Sequence, residues 1–238
     1  MTGLAGTLLL LLSAARCCAG LVLLDDFDGG SLSLWTPSGG TWSASGGVAR
    51  QNAVSTYGNT TQMLVLNQPM NGNFSFQVGV KTPFSTLHDD YGNDAVGIAF
   101  GIEDSTNYYF AHLFPGWPGG AIRIGAVIGG AYSFLPNFGY EDHDLGFTPA
   151  MDQFHAIRVD AVGSTYTVRV WNGSDTTGIP FSHSFTDARL HGTGVGLWNA
   201  RGPGSFDHAY ATVPEPSTYA GLSALGLVGF GLWRRARR

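Results

Sequence analysis

Residues 73–81 read N-F-S-F-Q-V-G-V-K, and the fold follows from how they are read. Phe74, Phe76, Val78 and Val80 fall on one side of a period-two backbone, while Ser75, Gln77 and Lys81 fall on the other. A helix would scatter these groups around its axis, whereas a strand sorts them onto two faces. The segment is therefore predicted to be a half-buried antiparallel strand. Working outward, similar strands are expected at Leu21–Asp26, Val48–Gln51, Gln62–Asn67, Ala95–Ile102, Tyr108–Phe114, Ala121–Ile128, Phe154–Ala161, Thr165–Trp171, Ile179–Phe185, Gly194–Trp198 and Ser205–Ala211. Gly, Asn, Asp or Pro punctuate most of the gaps, and Ala161-Val162-Gly163-Ser164 reads as a tight hairpin turn. These short strands, the 35 glycines and the lack of a long amphipathic helical pattern predict an all-β fold of two packed antiparallel sheets.

Composition narrows the function classes. Cys17 and Cys18 are the two cysteines of the 238 residues, and both precede the first predicted strand. A domain without cysteine has no disulfide staple, thiolate nucleophile or cysteine metal site. Between residues 21 and 212 there are seven basic and sixteen acidic side chains, a charge near −9. With Lys81 its one lysine, this domain is a poor partner for nucleic acid or anionic lipid.

Several stretches resemble a known family. D-D-F-D-G-G at Asp25–Gly30, followed by Trp35 and by G-T-W-S-A-S-G-G-V-A-R-Q at Gly40–Gln51, resembles the opening of a concanavalin A-like or laminin G-like jelly roll. G-I-A-F-G-I-E-D-S-T-N-Y-Y-F at Gly97–Phe110 is similar to its strand, turn and return strand. Phe154–Val159, Thr165–Trp171, Gly194–Trp198 and Ser205–Asp207 resemble its closing strands. The resemblance spans about Leu21 to Ala211 and implies a concanavalin A-like β-sandwich. It implies activity poorly, because this fold hosts lectins, glycan-binding modules, glycosidases and adhesion domains.

Catalytic signals are weak. Glycosidases of this fold carry E-x-D-x-x-E, which this chain lacks. Its glutamates are Glu103, Glu141 and Glu215. Glu103 and Asp104 are adjacent, so a strand sends them to opposite faces, and S-T-N after them reads as a turn. There is no G-x-S-x-G elbow and no H-E-x-x-H motif. Gly192-Thr193-Gly194-Val195-Gly196 does not open a helix, so it does not read as a phosphate loop. His112 and His155 sit in apolar strands and read as satisfied sheet-face or core residues. The chain is expected to be no enzyme, with a glycoside hydrolase-like activity as the alternative.

Binding signals lie in loops. In H-D-D-Y-G-N-D at His88–Asp94, Asp89, Asp90, Asn93 and Asp94 offer hard oxygens that suit Ca²⁺, against the alternative of a solvated turn. E-D-H-D at Glu141–Asp144 is a weaker cluster of the same kind, and Asp26 or Asp28 beside Asp207 is a third. Phe114-Pro115-Gly116-Trp117-Pro118-Gly119-Gly120 reads as a loop that presents Trp117, and Tyr91 joins it as a candidate sugar-stacking residue. The alternative for Trp117 is a cap on the end of the sandwich. Trp35, Trp42, Trp171 and Trp198 read as packing residues.

The ends carry the sorting information. Leu4–Ala15 is an apolar run too short to span a membrane, placed as a signal-peptide core with cleavage after Ala19 or Gly20, the alternative being an uncleaved N-terminal anchor. At the other end stand V-P-E-P-S-T from Val213, an uncharged run from Tyr219 to Trp233, and R-R-A-R-R. Pro214 and Pro216 hold Glu215 in extended backbone, the apolar run reads as a transmembrane helix, and the arginines stay cytoplasmic. This order resembles the PEP-CTERM sorting signal of Gram-negative bacteria. That resemblance implies an exosortase as processing partner, an inner-membrane anchor before processing, and a place in extracellular polysaccharide production. The expected organisation is a signal peptide (1–20), a sandwich (21–211) and a sorting tail (212–238). The expected function is an exported, non-catalytic surface or matrix protein that binds carbohydrate or exopolysaccharide. A purely structural or adhesive surface protein is a further alternative.

Overall fold

The computed structural model describes residues 20–52, 61–70, 72–81, 95–114, 121–133, 135, 143–200 and 202–212. Leu23–Ala211 forms one compact unit. The predicted signal peptide and transmembrane helix lie outside the described residues. Among the described residues no helix is long and apolar enough to cross a membrane.

Sixteen strands appear in the described chain: β1 (Leu21–Asp25), β2 (Trp35–Ser38), β3 (Trp42–Ser45), β4 (Val48–Gln51), β5 (Thr61–Leu66), β6 (Phe74–Lys81), β7 (Ala95–Asp104), β8 (Asn107–Phe114), β9 (Ala121–Ile128), β10 (Ala131–Ser133), β11 (His143–Asp144), β12 (His155–Val162), β13 (Thr165–Val170), β14 (Phe181–Thr186), β15 (Gly194–Ala200) and β16 (Gly204–Thr212). The first sheet runs β14-β13-β12-β6-β16-β4-β3, with β1 beside β16. The second runs β10-β9-β8-β7-β15-β5-β2, with β11 beside β9. The two antiparallel sheets predicted from the sequence are thus present, and the twelve predicted strands are β1, β4 to β9 and β12 to β16. β2, β3, β10 and β11 were not anticipated. They are two to four residues long, and Pro37 in β2 weakens a strand signal while tolerating an edge position.

The core lies between the sheets. Phe74, Phe76, Val78 and Val80 of β6 face Ile98, Phe100, Leu113 and Leu197 of the second sheet. Tyr166 of the first sheet packs 5.0 Å from Tyr109 and 5.4 Å from Phe100, measured between ring centroids. Burying such side chains is the main favourable term in folding.

The polar side of β6 departs from expectation. Ser75 and Gln77 are buried rather than solvated. The Asp160 carboxylate sits beside Ser75 and accepts from its hydroxyl. It also accepts from Arg158 Nε at 2.7 Å and from Arg169. This charged layer covers the strand, and burial lowers both arginine pKa values.

A second ion pair fixes the chain between β14 and β15. The Asp187 side chain is 1% exposed and accepts from Arg189 Nη2 at 2.6 Å and Nε at 2.9 Å. Burial pushes the Asp187 carboxyl up, but the bonds and charge of Arg189 outweigh it and hold the pKa below 3.8. The Tyr109 hydroxyl donates to the Asp187 carbonyl at 3.3 Å and accepts from Leu190 N–H at 3.1 Å. The Gly192–Gly196 run is the lead-in to β15 and β15 itself. A Cβ at Gly192 would lie 2.3 Å from the Ile102 carbonyl oxygen, and one at Gly196 2.8 Å from that of Leu64. The glycines serve close backbone packing.

β16 joins the two halves of the first sheet, pairing with β6 on one side and β4 on the other. A bulge between Asp207 and Tyr210, with His208 at φ 47°, bends it.

Candidate functional site

The residues singled out for binding and sorting (Trp117, Tyr91, Asp89, Asp90, Asn93, Asp94, Pro214, Glu215 and Pro216) lie outside the described residues. The described strands nevertheless fix where two of their segments are anchored. The 82–94 segment leaves β6 at Lys81 and enters β7 at Ala95, while the 115–120 segment joins β8 to β9. Val96 pairs with Leu113, Phe114 with Ala121, and Ala95 with Ala200. The end of β8 and the starts of β7 and β9 therefore meet at one end of the second sheet.

An aromatic layer lies on the outward face of that sheet beside this end. The register places Met63, Trp198, Gly97, His112 and Arg123 side by side across β5, β15, β7, β8 and β9. Gly97 has no side chain, so the rings on either side of it meet. His112 stacks on Trp198 at 4.5 Å, and Phe110 stacks on both at 5.1 and 5.3 Å. Gly125 does the same for Phe110, since a Cβ there would come 2.6 Å from its ring. Met63, Tyr108 and Val127 extend the layer into a second apolar cluster, distinct from the core between the sheets. Burial, with the Arg123 charge, drives the His112 pKa well below 6.5, so the imidazole is neutral.

Trp198 is fully buried, and its indole N–H has no hydrogen-bond partner among the described residues. Two more buried polar atoms without partners among the described residues, Gln51 Nε2 and Gln62 Oε1, lie on strands at the same end. Asn199, next to Trp198, donates to Gln51 Oε1 at 3.3 Å. Leaving a buried donor unpaired costs about 1–3 kcal/mol. Trp198→Phe keeps an aromatic ring, smaller than the indole, and removes that donor. It should change stability by no more than about 1 kcal/mol, whereas Trp198→Ala should cost about 3–5 kcal/mol. Urea unfolding of the two variants checks this.

Other sequence candidates each have contacts within the described structure. Glu103 accepts from His191 N–H at 2.7 Å. Asp104 accepts from the Thr106 hydroxyl and N–H at 2.7 Å, closing the β7–β8 turn, and these bonds lower its pKa. His155 donates from Nε2 to the Ala150 carbonyl at 3.2 Å and accepts at Nδ1 from Gly173 N–H, a satisfied histidine as expected. Trp35 and Trp171 are buried and donate to Asp25 and to the Gly178 carbonyl. Asp144 accepts from Gly146 N–H, Asp28 N–H donates to Asp26, and Asp207 pairs with His208. Among the described residues no three His, Cys, Asp or Glu side chains gather around a metal position. The aromatic layer escaped the sequence reading as a unit. Its signal was the placement of Gly97 and Gly125 between or beside aromatic positions on paired strands.

Comparison with known proteins bears on the tail and on the fold. Residues 212–238 match the PEP-CTERM protein-sorting motif. No curated protein sequence matches this chain. Similar solved structures include the carbohydrate binding module CBM66 from Bacillus subtilis, at 13% identity and a TM-score of 0.55, covering 76% of this chain and 96% of that one. The exoplasmic/lumenal domain of VIP36 in its Ca²⁺/Man2-bound form gives 14% and 0.55, covering 84% and 93%. A xylan β-1,4-xylosidase from Bacillus halodurans gives 15% and 0.57, but the chain spans 38% of that enzyme. These neighbours share the jelly-roll sandwich, consistent with a concanavalin A-like domain between the ends of the chain.

Proposed function

We propose that this protein is exported, sorted by an exosortase through Pro214-Glu215-Pro216, and binds carbohydrate outside the cell as a non-catalytic surface or matrix component. Its ligand would be an exopolysaccharide. The PEP-CTERM match supports the sorting half. Before processing, the apolar run after the motif holds the chain in the inner membrane. The observation that carries the binding half is the meeting of both candidate loop anchors at one end of a rigid sheet, beside the aromatic layer of Phe110, His112 and Trp198. A fixed scaffold with loops rich in Trp, Tyr and Asp at one end can stack on a sugar ring and bond its hydroxyls. Fold likeness to a carbohydrate binding module and to the Man2-bound VIP36 domain agrees with this reading. Calcium, if used, would take its oxygens from Asp89, Asp90, Asn93 and Asp94.

The test is a glycan panel on the detergent-solubilised full chain, with calcium and with chelator. Binding is expected, and Trp117→Ala should weaken it by about tenfold or more, as loss of a central aromatic contact does. Wild-type affinity in Trp117→Ala would overturn the assignment of this loop. Loss of binding in chelator would assign the 88–94 segment to calcium.

A further inference from the structure

The sandwich has a cleft at its other end, away from the anchors of the 82–94 and 115–120 segments. Its volume is about 280 Å³. Three connections wall it: Gly72 and Asn73 before β6, Gly163 and Ser164 in the β12–β13 turn, and His191 and Thr193 before β15. Phe74 and Tyr166 of the core close its inner side.

The walls are pinned. Asn73 Oδ1 accepts from Gly163 N–H at 2.9 Å, and the Ser164 carbonyl accepts from Asp187 N–H at 3.0 Å. Glu103 and Tyr109 hold the N–H groups of His191 and Leu190. The Thr193 carbonyl accepts from Met70 N–H at 2.9 Å. Gly192, flush against the Ile102 backbone, lets the third wall lie close to β7. The Asp187–Arg189 pair anchors the chain from β14 to that wall. A buried ion pair is weak evidence for stability, so its positional effect on this segment is the more informative one. A cleft with walls already held in place binds without the entropy cost of ordering them.

The lining also narrows the ligand. Among the described residues no Asp, Glu, Lys or Arg side chain lines the cleft, and His191 is its one imidazole. Ser164, Thr193, Asn73 and His191 give the lining its polar side chains, beside apolar Phe74 and Leu190. That combination suits an uncharged polyhydroxyl compound with an apolar face. The volume is near the lower bound of about 300 Å³ for small-molecule sites, enough for a single ring. We infer that this cleft binds the terminal residue of a neutral carbohydrate chain, a second glycan contact at the opposite end of the sandwich. The ligand class rests on the carbohydrate reading above, while the location rests on the cleft alone.

The experiment titrates the detergent-solubilised full chain with methyl glycosides of neutral hexoses and pentoses, read by saturation-transfer NMR, and with a neutral polysaccharide. Ser164→Trp, which fills the cleft from an exposed turn, should weaken monosaccharide binding at least about tenfold. His191→Ala should weaken it several-fold, and Trp117→Ala should leave it unchanged. Unfolding midpoints matching wild type show that the variants are folded. Monosaccharide binding that is undiminished in both Ser164→Trp and His191→Ala overturns the cleft, as does absence of monosaccharide binding in wild type. If polymer binding still falls in Trp117→Ala, only the cleft has failed. If cleft variants lose the monosaccharide while Trp117→Ala keeps the polymer, only the loop assignment has failed.

Discussion

Arg189→Leu should destabilise the sandwich by about 3–5 kcal/mol near pH 7, because it leaves a buried carboxylate without its counter-charge. Asp187 is 1% exposed, and Arg189 supplies both its guanidinium bonds and a backbone N–H at 2.9 Å. For a chain of this size the loss corresponds to about 10 °C or more in Tm. The pH dependence gives a sharper signature. In the wild type the Asp187 pKa is held below 3.8. Its contribution is therefore present above 3.8 and is lost as pH falls through the lower folded value. In Arg189→Leu, burial, the largest single influence on this carboxyl, is opposed by the residue 189 N–H and the Tyr109 hydroxyl but no longer by a charge, and it raises the folded value above the unfolded one. The neutral acid is then the favoured form, so that contribution is full below the unfolded value and disappears as pH rises through the folded value. The gap between the two proteins should be widest at neutral pH and narrow toward pH 4. Urea unfolding at both pH values measures it. An equal gap at both would show that lost packing, not the unpaired charge, is responsible. Asp187→Asn combined with Arg189→Leu should recover much of the loss, since no charge is then left buried.

Gly97→Ala should be about as damaging as a poor core substitution, near 3 kcal/mol. The added Cβ would lie 2.0 Å from the Ala111 carbonyl oxygen and 2.6 Å from the His112 Cα, both in β8 backbone. Flexible side chains can move aside, but this ladder cannot, because β7 is paired on both sides, with β8 and β15. The strain should also separate His112 from Trp198. A red shift of tryptophan emission together with a lower unfolding midpoint is the expected result. Gly178→Ala is the control: nothing lies within 4 Å of its Cβ, and it should stay within about 0.5 kcal/mol of wild type. Equal midpoints for the two variants would contradict the close-approach account of Gly97.

Much of the sandwich was legible because its strands are long enough for the period-two pattern to declare itself. β6 shows the limit of that reading. The pattern located Phe76 and Val78 on the core face, but Ser75 and Gln77 on the other face are buried beneath Arg158, Asp160 and Arg169, which arrive from β12 and β13. Alternation within one strand carries no information about which distant strand supplies a cover. The aromatic layer was hidden for the same reason. His112 and Trp198 are 86 positions apart, and only the pairing of β15 with β7 and of β7 with β8 makes them neighbours. Local chemistry was read better: S-T-N closes the β7–β8 turn, and Gly163 turns the β12–β13 hairpin at φ 59°.

The position of β16 bears on the order in which the molecule is assembled. Until residues 204–212 are available, the first sheet exists as two pieces, β14-β13-β12-β6 and β4-β3, with no ladder between them. The strand that bridges them is also the last before the sorting motif. A chain delivered N-terminus first therefore lacks the bridge between these two pieces until β16 follows. Non-local pairing of this kind is slow and leaves strand edges exposed in the interval. Closure of the first sheet thus waits on the strand that adjoins the sorting motif.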